Sequence, residues 1–411
     1  MRLDNPIWGA LAVMLAALPA PARAGEAASS QWPDGVKIKP ILDARLRYEA
    51  VDQGSLNADA ASLRLRAGAE AKMGLFSLLA EGEATAPLVD NYNAFPFAIP
   101  DRQRRPQYAV VSDPGNLELN RLQVQYKSKT LSITAGRQRI NLEDQRWVGS
   151  VGWRQNEQTF DAIRGEAAVG PLIVDLTYAI SQRTIFGEDA GPRTAIDGNF
   201  LFASVASKPG PVRGALFSYL IDYDEVFALP NSSQTYGGYV TTSLPIGRRA
   251  KLTLRASYAR QSAYGSNPFD YAADYWSFDA GTKVSGFTVS GGWEKLGSDN
   301  GRAVQTPLAT LHKFNGWADL FLTTPPDGLE DSYMSVGRAF DGIKALPGLN
   351  ANLAFHQFDS ARRNIEYGTE WDASTGFKLG RIGILFKYAD YHAKEFGLDT
   401  RKLWVQAEYA L

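Results

Sequence analysis

Between Val36 and Ala50, the residues Val36, Ile38, Leu42, Ala44, Leu46 and Tyr48 fall on one parity. Lys37, Lys39, Asp43, Arg45, Arg47 and Glu49 fall on the other. Successive side chains of a strand point to opposite faces, so this segment has one apolar wall and one densely charged wall. The next segment repeats the pattern, with Leu63, Leu65, Ala67, Ala69 and Ala71 against Arg64, Arg66, Glu70 and Lys72. It returns far downstream, where Leu252, Leu254, Ala256 and Tyr258 oppose Lys251, Thr253, Arg255 and Ser257. Tyr367, Trp371, Ala373 and Phe377 likewise oppose Glu366, Glu370, Asp372 and Lys378. The last segment sets Leu403, Val405, Ala407, Tyr409 and Leu411 against Lys402, Gln406 and Glu408. The period is two, and the chain reads as all-β.

A soluble sandwich alternates too, with its polar face in water. Three features point instead to a transmembrane antiparallel β-barrel. Many alternating runs are about 9 to 12 residues long, the length of a tilted membrane strand, against about 5 or 6 in globular sheets. Aromatics gather near strand ends, as at Tyr48, Tyr126, Tyr258 and Tyr391, where interfacial girdles sit. The connections alternate short and long. The short ones are Lys72-Met73-Gly74, Ser128-Lys129, Gly170-Pro171, Pro209-Gly210-Pro211, Pro245-Ile246-Gly247, Ser285-Gly286, Pro347-Gly348 and Gly380-Arg381. Gly and Pro supply the dihedrals of tight turns. Long polar links such as Val89 to Gly115 and Gly297 to Asp331 lie between them. Short periplasmic turns and long extracellular loops are the outer-membrane arrangement.

This scheme gives eighteen strands. Sixteen stays open, because the segments near 200, 214, 238 and 335 alternate poorly. Either number encloses a lumen wide enough for water, and closure leaves no unpaired edge in lipid.

The N-terminus fits an exported protein. Met1-Arg2-Leu3 precedes an apolar stretch from Ile7 to Ala20, and Ala22-Arg23-Ala24 follows as a small-residue cleavage site. That is the layout of a secretory signal peptide. Residues 1–24 are expected to be the signal and 25–411 one barrel domain. The chain holds no cysteine, so disulfides cannot brace it outside the cytoplasm. Its formal charge of −1 gives no reason to expect a nucleic-acid partner.

From Thr134 to Glu166 run Ala135-Gly136-Arg137-Gln138-Arg139-Ile140, Asp144-Gln145-Arg146, Trp153-Arg154-Gln155-Asn156 and Thr159-Phe160-Asp161-Ala162-Ile163-Arg164. This stretch resembles the alginate-export family of outer-membrane porins, as do Leu46-Arg47-Tyr48-Glu49 and the segment Phe314 to Gly328. The resemblance implies an 18-stranded monomeric barrel whose lumenal arginines and lysines conduct a polyanionic uronate polysaccharide. The positions matching its strand-loop-strand motif are Arg137, Gln138, Asp144, Arg154, Asp161 and Arg164.

This lumen departs from a uniformly basic one. Arg45, Arg47, Arg64, Arg66, Arg121, Arg137, Arg154 and Arg164 form a candidate basic strip for solute. Glu49, Glu70, Asp161, Glu370 and Asp372 are candidate acidic lining. Inward charges can also pair across strands and brace the wall; clustered charge of one sign favours contact with solute. The long Gly297–Asp331 loop either folds into the lumen or covers the outer rim.

No catalytic motif and no cofactor site stands out. The three histidines are His312, His356 and His392, too few for a metal centre without carboxylate help. His356 reads as a polar lining residue. His392 beside Asp390 is the sole candidate for hydrolase chemistry. The expected function is a porin for a hydrophilic, anionic solute such as a uronate or other saccharide. A surface adhesin, a structural barrel or an outer-membrane hydrolase are the alternatives. The expected partners are outer-membrane lipid, the solute or polysaccharide, and the assembly machinery that reads the last strand. Mass spectrometry of the outer-membrane fraction should find a mature N-terminus at Gly25; retention of residues 1–24 would refute the signal.

Overall fold

Strands form where the two-residue period runs, and each pairs antiparallel with its neighbours in the chain. The computed structural model describes residues 35–411 apart from Arg248 and Arg249, so the signal segment 1–24 lies outside the described residues. The first nine strands are β1 (Val36–Gln53), β2 (Leu56–Met73), β3 (Phe76–Asn91), β4 (Asn116–Lys127), β5 (Leu131–Gln138), β6 (Thr159–Val169), β7 (Leu172–Arg183), β8 (Ala195–Ser207) and β9 (Val212–Tyr223). The second nine are β10 (Ser233–Ile246), β11 (Ala250–Ala263), β12 (Ala272–Val284), β13 (Phe287–Leu296), β14 (Leu329–Ala339), β15 (Asn350–Asp359), β16 (Glu366–Leu379), β17 (Ile382–Ala393) and β18 (Thr400–Ala410). β18 pairs back onto β1, from Asp43 opposite Ala410 to Gln53 opposite Thr400. The single 18-stranded sheet is therefore closed.

All eight short turns read from the sequence lie on one rim, together with both ends of the barrel sheet. That rim is periplasmic. The opposite rim carries the long links 92–115, 139–158 and 297–328. Outward residues such as Leu46, Leu122, Leu176, Leu216 and Met334 are exposed, as a lipid face requires. The inward neighbours Arg47, Arg64 and Arg66 are buried.

The poorly alternating segments are strands after all. In the segments near 200, 214 and 238 inward side chains are aromatic: Phe200, Phe202, Tyr219 and Tyr239 are buried. The first three join Ile140, Leu142, Val148 and Leu308 in an apolar cluster inside the lumen. Alternation fades there because link 139–158 gives the inner face something apolar to pack on.

Two aromatics depart from expectation. Tyr391 was placed in the outer girdle, but it lies inside, donating to the carbonyls of Tyr367 and Phe396 at 2.7 and 2.8 Å. Tyr367 was placed on the apolar outer parity and is also inside. The cause is a β-bulge: Phe358 pairs with Gly368 and Asp359 with Glu366, leaving Tyr367 as the extra residue. One inserted residue reverses the parity of what precedes it.

Leu46→Arg should cost about 2–4 kcal/mol near the bilayer midplane, and Leu46→Phe much less. Urea titrations in liposomes measure both, and equal costs would place this residue away from lipid.

Candidate functional site

The links 139–158 and 297–328 both enter the barrel. They are joined to each other by a parallel bridge between Val148 and Leu308 and by Gly149 N–H donating to Leu308 O at 2.8 Å. Thr310 N–H also donates to Gln145 O at 3.1 Å. Irregular backbone at membrane depth survives only where protein or lumenal water satisfies its polar groups. The wall from β16 through β18 to β2 supplies that satisfaction.

The basic side binds carbonyls. Arg45 Nη1 donates to the carbonyls of Gly152, Trp153 and Arg154 at 3.1, 3.1 and 3.2 Å. Arg47 donates to Trp153 O at 2.6 Å and Arg66 to Gln155 O at 3.2 Å. The acidic side binds amides. Glu370 accepts from Ala318 N–H at 2.7 Å and Asp372 from Trp317 N–H at 3.2 Å. Gly316, at φ +80°, lies so close to Glu370 that a Cβ there would stand 2.6 Å from its Cδ. Any larger residue would push the loop off its carboxylate.

Every arginine proposed for the basic strip also has a carboxylate partner. Arg45 pairs with Glu408 at 2.9 Å, and Arg64 with Asp43 and with Glu408 at 3.4 Å. Arg47 stands 3.5 Å from Asp113. Arg66 pairs with Glu83 and with Glu157 at 2.6 Å. Arg154 bridges Glu49 at 3.1 Å and Asp319 at 2.7 Å. Arg121 pairs with Glu81, Arg137 with Asp161 and Arg164 with Asp175. Arg137 and Asp161 are not in the lumen: they pair with each other on the outward parity, Arg137 opposite exposed Leu122 and Asp161 two residues from exposed Ile163, because Gln138, Phe160 and Ala162 take the inward positions. The other arginines face inward, and link 139–158 covers their centre, where Arg47 and Arg64 are 1 % and 0 % exposed. That centre does not face open water, whereas Arg154 lines a cavity beside the links. Glu70 stands apart, opposite Lys39 in the β1–β2 register.

A cluster absent from the sequence reading locks the two links together. Trp153 stacks on His312, with ring centroids 4.4 Å apart and 6° between planes. The Lys387 ammonium lies 4.0 Å from the Trp153 ring and 3.7 Å from that of Trp317, a cation–π arrangement. Lys387 Nζ is 2.7 Å from His312 Nε2, and His312 Nδ1 is 2.7 Å from Asp319. An ammonium only donates, so Nε2 accepts and the ring proton sits on Nδ1, facing Asp319. Trp404 closes the cluster, fully buried on the inward parity between Lys402 and Gln406. A tryptophan on the polar parity of the last strand was the one readable sign of it.

Two cavities flank these links. The outer one, about 310 Å³, is lined by Arg154, Arg193, Phe186, Phe227, His312 and Asp319 among others. The inner one, about 550 Å³, is lined by Arg255, Lys313, Phe314, Asp279, Tyr333 and His356 among others, chiefly along β10–β15. His312 lines the first and Lys313 the second, so the loop at 311–315 divides them. Lys313 donates to the Asp144 carbonyl at 2.7 Å. Neither it nor Arg193 meets a carboxylate among the described residues. His356 is a lining residue, 2.9 Å from Asp331. His392 and Asp390 are 3.7 Å apart on the outward parity. Among the described residues no group of three or more His, Asp or Glu is placed to hold a metal ion.

The arrangement is that of a lumen narrowed by its own loops. Residues 72–206 match the alginate-export family model. No curated protein sequence matches the chain. Among solved structures, the chain is similar to OccAB4 of Acinetobacter baumannii, with a TM-score of 0.73 and 12% identity over 91% of this chain and 98% of that one. It is also similar to OccK2 (OpdF) of Pseudomonas aeruginosa in complex with glucuronate, with a TM-score of 0.69 and 15% identity over 91% and 98%. OpdK of the same organism with vanillate gives 0.69 and 14% over 90% and 98%. The protein is a closed 18-stranded barrel of the bacterial outer membrane with the fold of the Occ/Opd porins.

Burial pushes the His312 ring well below its ordinary range. Burial opposes the Asp319 anion, but His312, Lys402 and Arg154 outweigh it and hold Asp319 well below the usual carboxylate range. Both folded values are depressed, so both contributions are full above the unfolded values and fade as pH falls below them, His312 first, from about pH 6.5. Single-channel noise from loop motion should rise on acidification from about pH 7 toward about pH 4, with its first step absent in His312→Gln. The same step in the variant would overturn this.

Proposed function

We propose that the protein is a passive channel carrying a small, hydrophilic, anionic solute across the outer membrane. The observation that carries this reading is a cavity on each side of the loop at 311–315, each holding a cation without a carboxylate partner among the described residues. These are Arg193 outside, its guanidinium over the Phe97 and Phe227 rings at 4.7 and 4.1 Å, and Lys313 inside. Fixed cations in a narrow, low-dielectric passage raise the local concentration of anions. Glucuronate and vanillate, which accompany two of the similar porins, are small carboxylates of the size these cavities suit. A polymer conduit fits less well, because two links docked through many buried bonds divide the lumen.

A structural barrel is the second reading, favoured by the complete burial of Trp404 and Arg64 beneath the docked links. Hydrolysis has little support: His392 is half exposed on the outward parity, and among the described residues no hydroxyl hydrogen-bonds to it. Planar-bilayer conductance separates these readings, since a structural barrel would not conduct.

Selectivity refines the reading. The double variant Arg193→Gln, Lys313→Gln should shift reversal potentials toward cations and weaken glucuronate block several-fold, most at low salt where screening is long-ranged. Arg47→Gln with Arg66→Gln should leave selectivity nearly unchanged and lower stability instead, because Glu83 and Glu157 lose a buried partner, a loss of about 3–5 kcal/mol. Reversal potentials across a salt gradient decide; the opposite pattern would return the basic strip to the solute.

A further inference from the structure

The lipid face carries a groove that the channel does not use. Its residues fall in two neighbouring rows across the strands. In the first, Phe287 on β13 faces Arg338 on β14, Arg338 faces Ala351 on β15, Ala351 faces Thr375 on β16, and Thr375 faces Phe386 on β17. In the second, Val336 faces Leu353, Leu353 faces Ala373 and Ala373 faces Tyr388. Small Ala351, Thr375 and Ala373 thus lie between large side chains. The result is an apolar trough of about 550 Å³. Thr375 turns its hydroxyl onto the Asn350 carbonyl at 2.8 Å, so the floor offers lipid no unsatisfied polar group.

A cation stands at the periplasmic end of this trough. Arg338 shares the outward parity of Met334 and Val336 and is one residue from the end of β14, beside the turn 340–349. Its guanidinium lies 4.6 Å from the Phe287 ring and 5.3 Å from the Phe340 ring. Those rings hold its plane but leave its charge unmatched. Among the described residues it has no carboxylate partner. An arginine on a lipid-facing strand is tolerated near the interface, and its fork suits a phosphate. The periplasmic leaflet of an outer membrane is phospholipid.

We infer that this trough is a phospholipid site, taking an acyl chain along the Ala351–Thr375–Ala373 floor and the headgroup phosphate on Arg338. Charge at one end and a smooth apolar floor behind it match one amphiphile better than they match a second copy of the barrel, whose lipid face is equally apolar. The chain packs on the floor while its phosphate stays at headgroup depth. The site is separate from the lumen, so its occupancy should not alter selectivity.

Native mass spectrometry of the intact barrel, delipidated and then returned to phosphatidylglycerol in detergent, tests this. The wild type should retain one phospholipid. Arg338→Gln should lower its retention about tenfold, the scale of one charge-assisted hydrogen bond. Ala373→Leu should lower it by filling the floor while the charge remains, with single-channel conductance unchanged in both variants to show that the barrel is intact. Equal retention by all three proteins would mean only annular lipid and overturn the site. A retained dimer in place of a lipid adduct would give the trough to a second copy.

Discussion

The backbone of the two inward links must find hydrogen-bond partners inside the membrane barrel, and the rest of the lumen is arranged around that need. A carbonyl or amide left bare there costs several kcal/mol. Arginines on β1 and β2 meet the carbonyls of link 139–158, and carboxylates on β16 meet the amides of link 297–328. The split of basic and acidic strands along one wall follows directly. It is less a field across the passage than two kinds of clamp. The arginines must themselves be neutralised at that depth, which explains why each has an acidic partner.

Docking on one side displaces the passage to the other. With the wall from β16 to β2 covered, the inner cavity runs along β10–β15. The interior on the covered side behaves as a protein core, with Phe321 of the loop packed on Phe358 and Tyr391 and with Trp404 buried in the same cluster. Such a core makes the narrowing a property of the folded barrel and not of a mobile flap. Backbone strain accompanies it: Val151 and Asp319 hold φ of +54° and +62°, costs that only surrounding contacts sustain.

Much of this was legible in the residues. Leu46 and Arg47 were assigned to opposite faces from spacing alone, since a strand's period is fixed by its geometry. The turns from Gly74 to Gly380 announced the periplasmic rim through their composition. Where spacing misled, a tertiary event intervened: the bulge at Tyr367 reversed parity, and aromatic inner faces at Phe200 and Tyr219 hid the alternation of their strands.

By itself, then, the sequence determined the barrel, limited it to sixteen or eighteen strands and showed which wall of each clearly alternating strand meets lipid, because hydrophobic periodicity is local and repeats along the chain. Which way the long link folds, and what the lumenal arginines face, was decided only in three dimensions. A period records that a side chain points inward, but not what it meets there. Arg47 spaced for a solute and Arg47 spaced for the Trp153 carbonyl look the same in sequence. The contact spans more than a hundred residues of chain, and only the closed barrel brings its two ends within 2.6 Å.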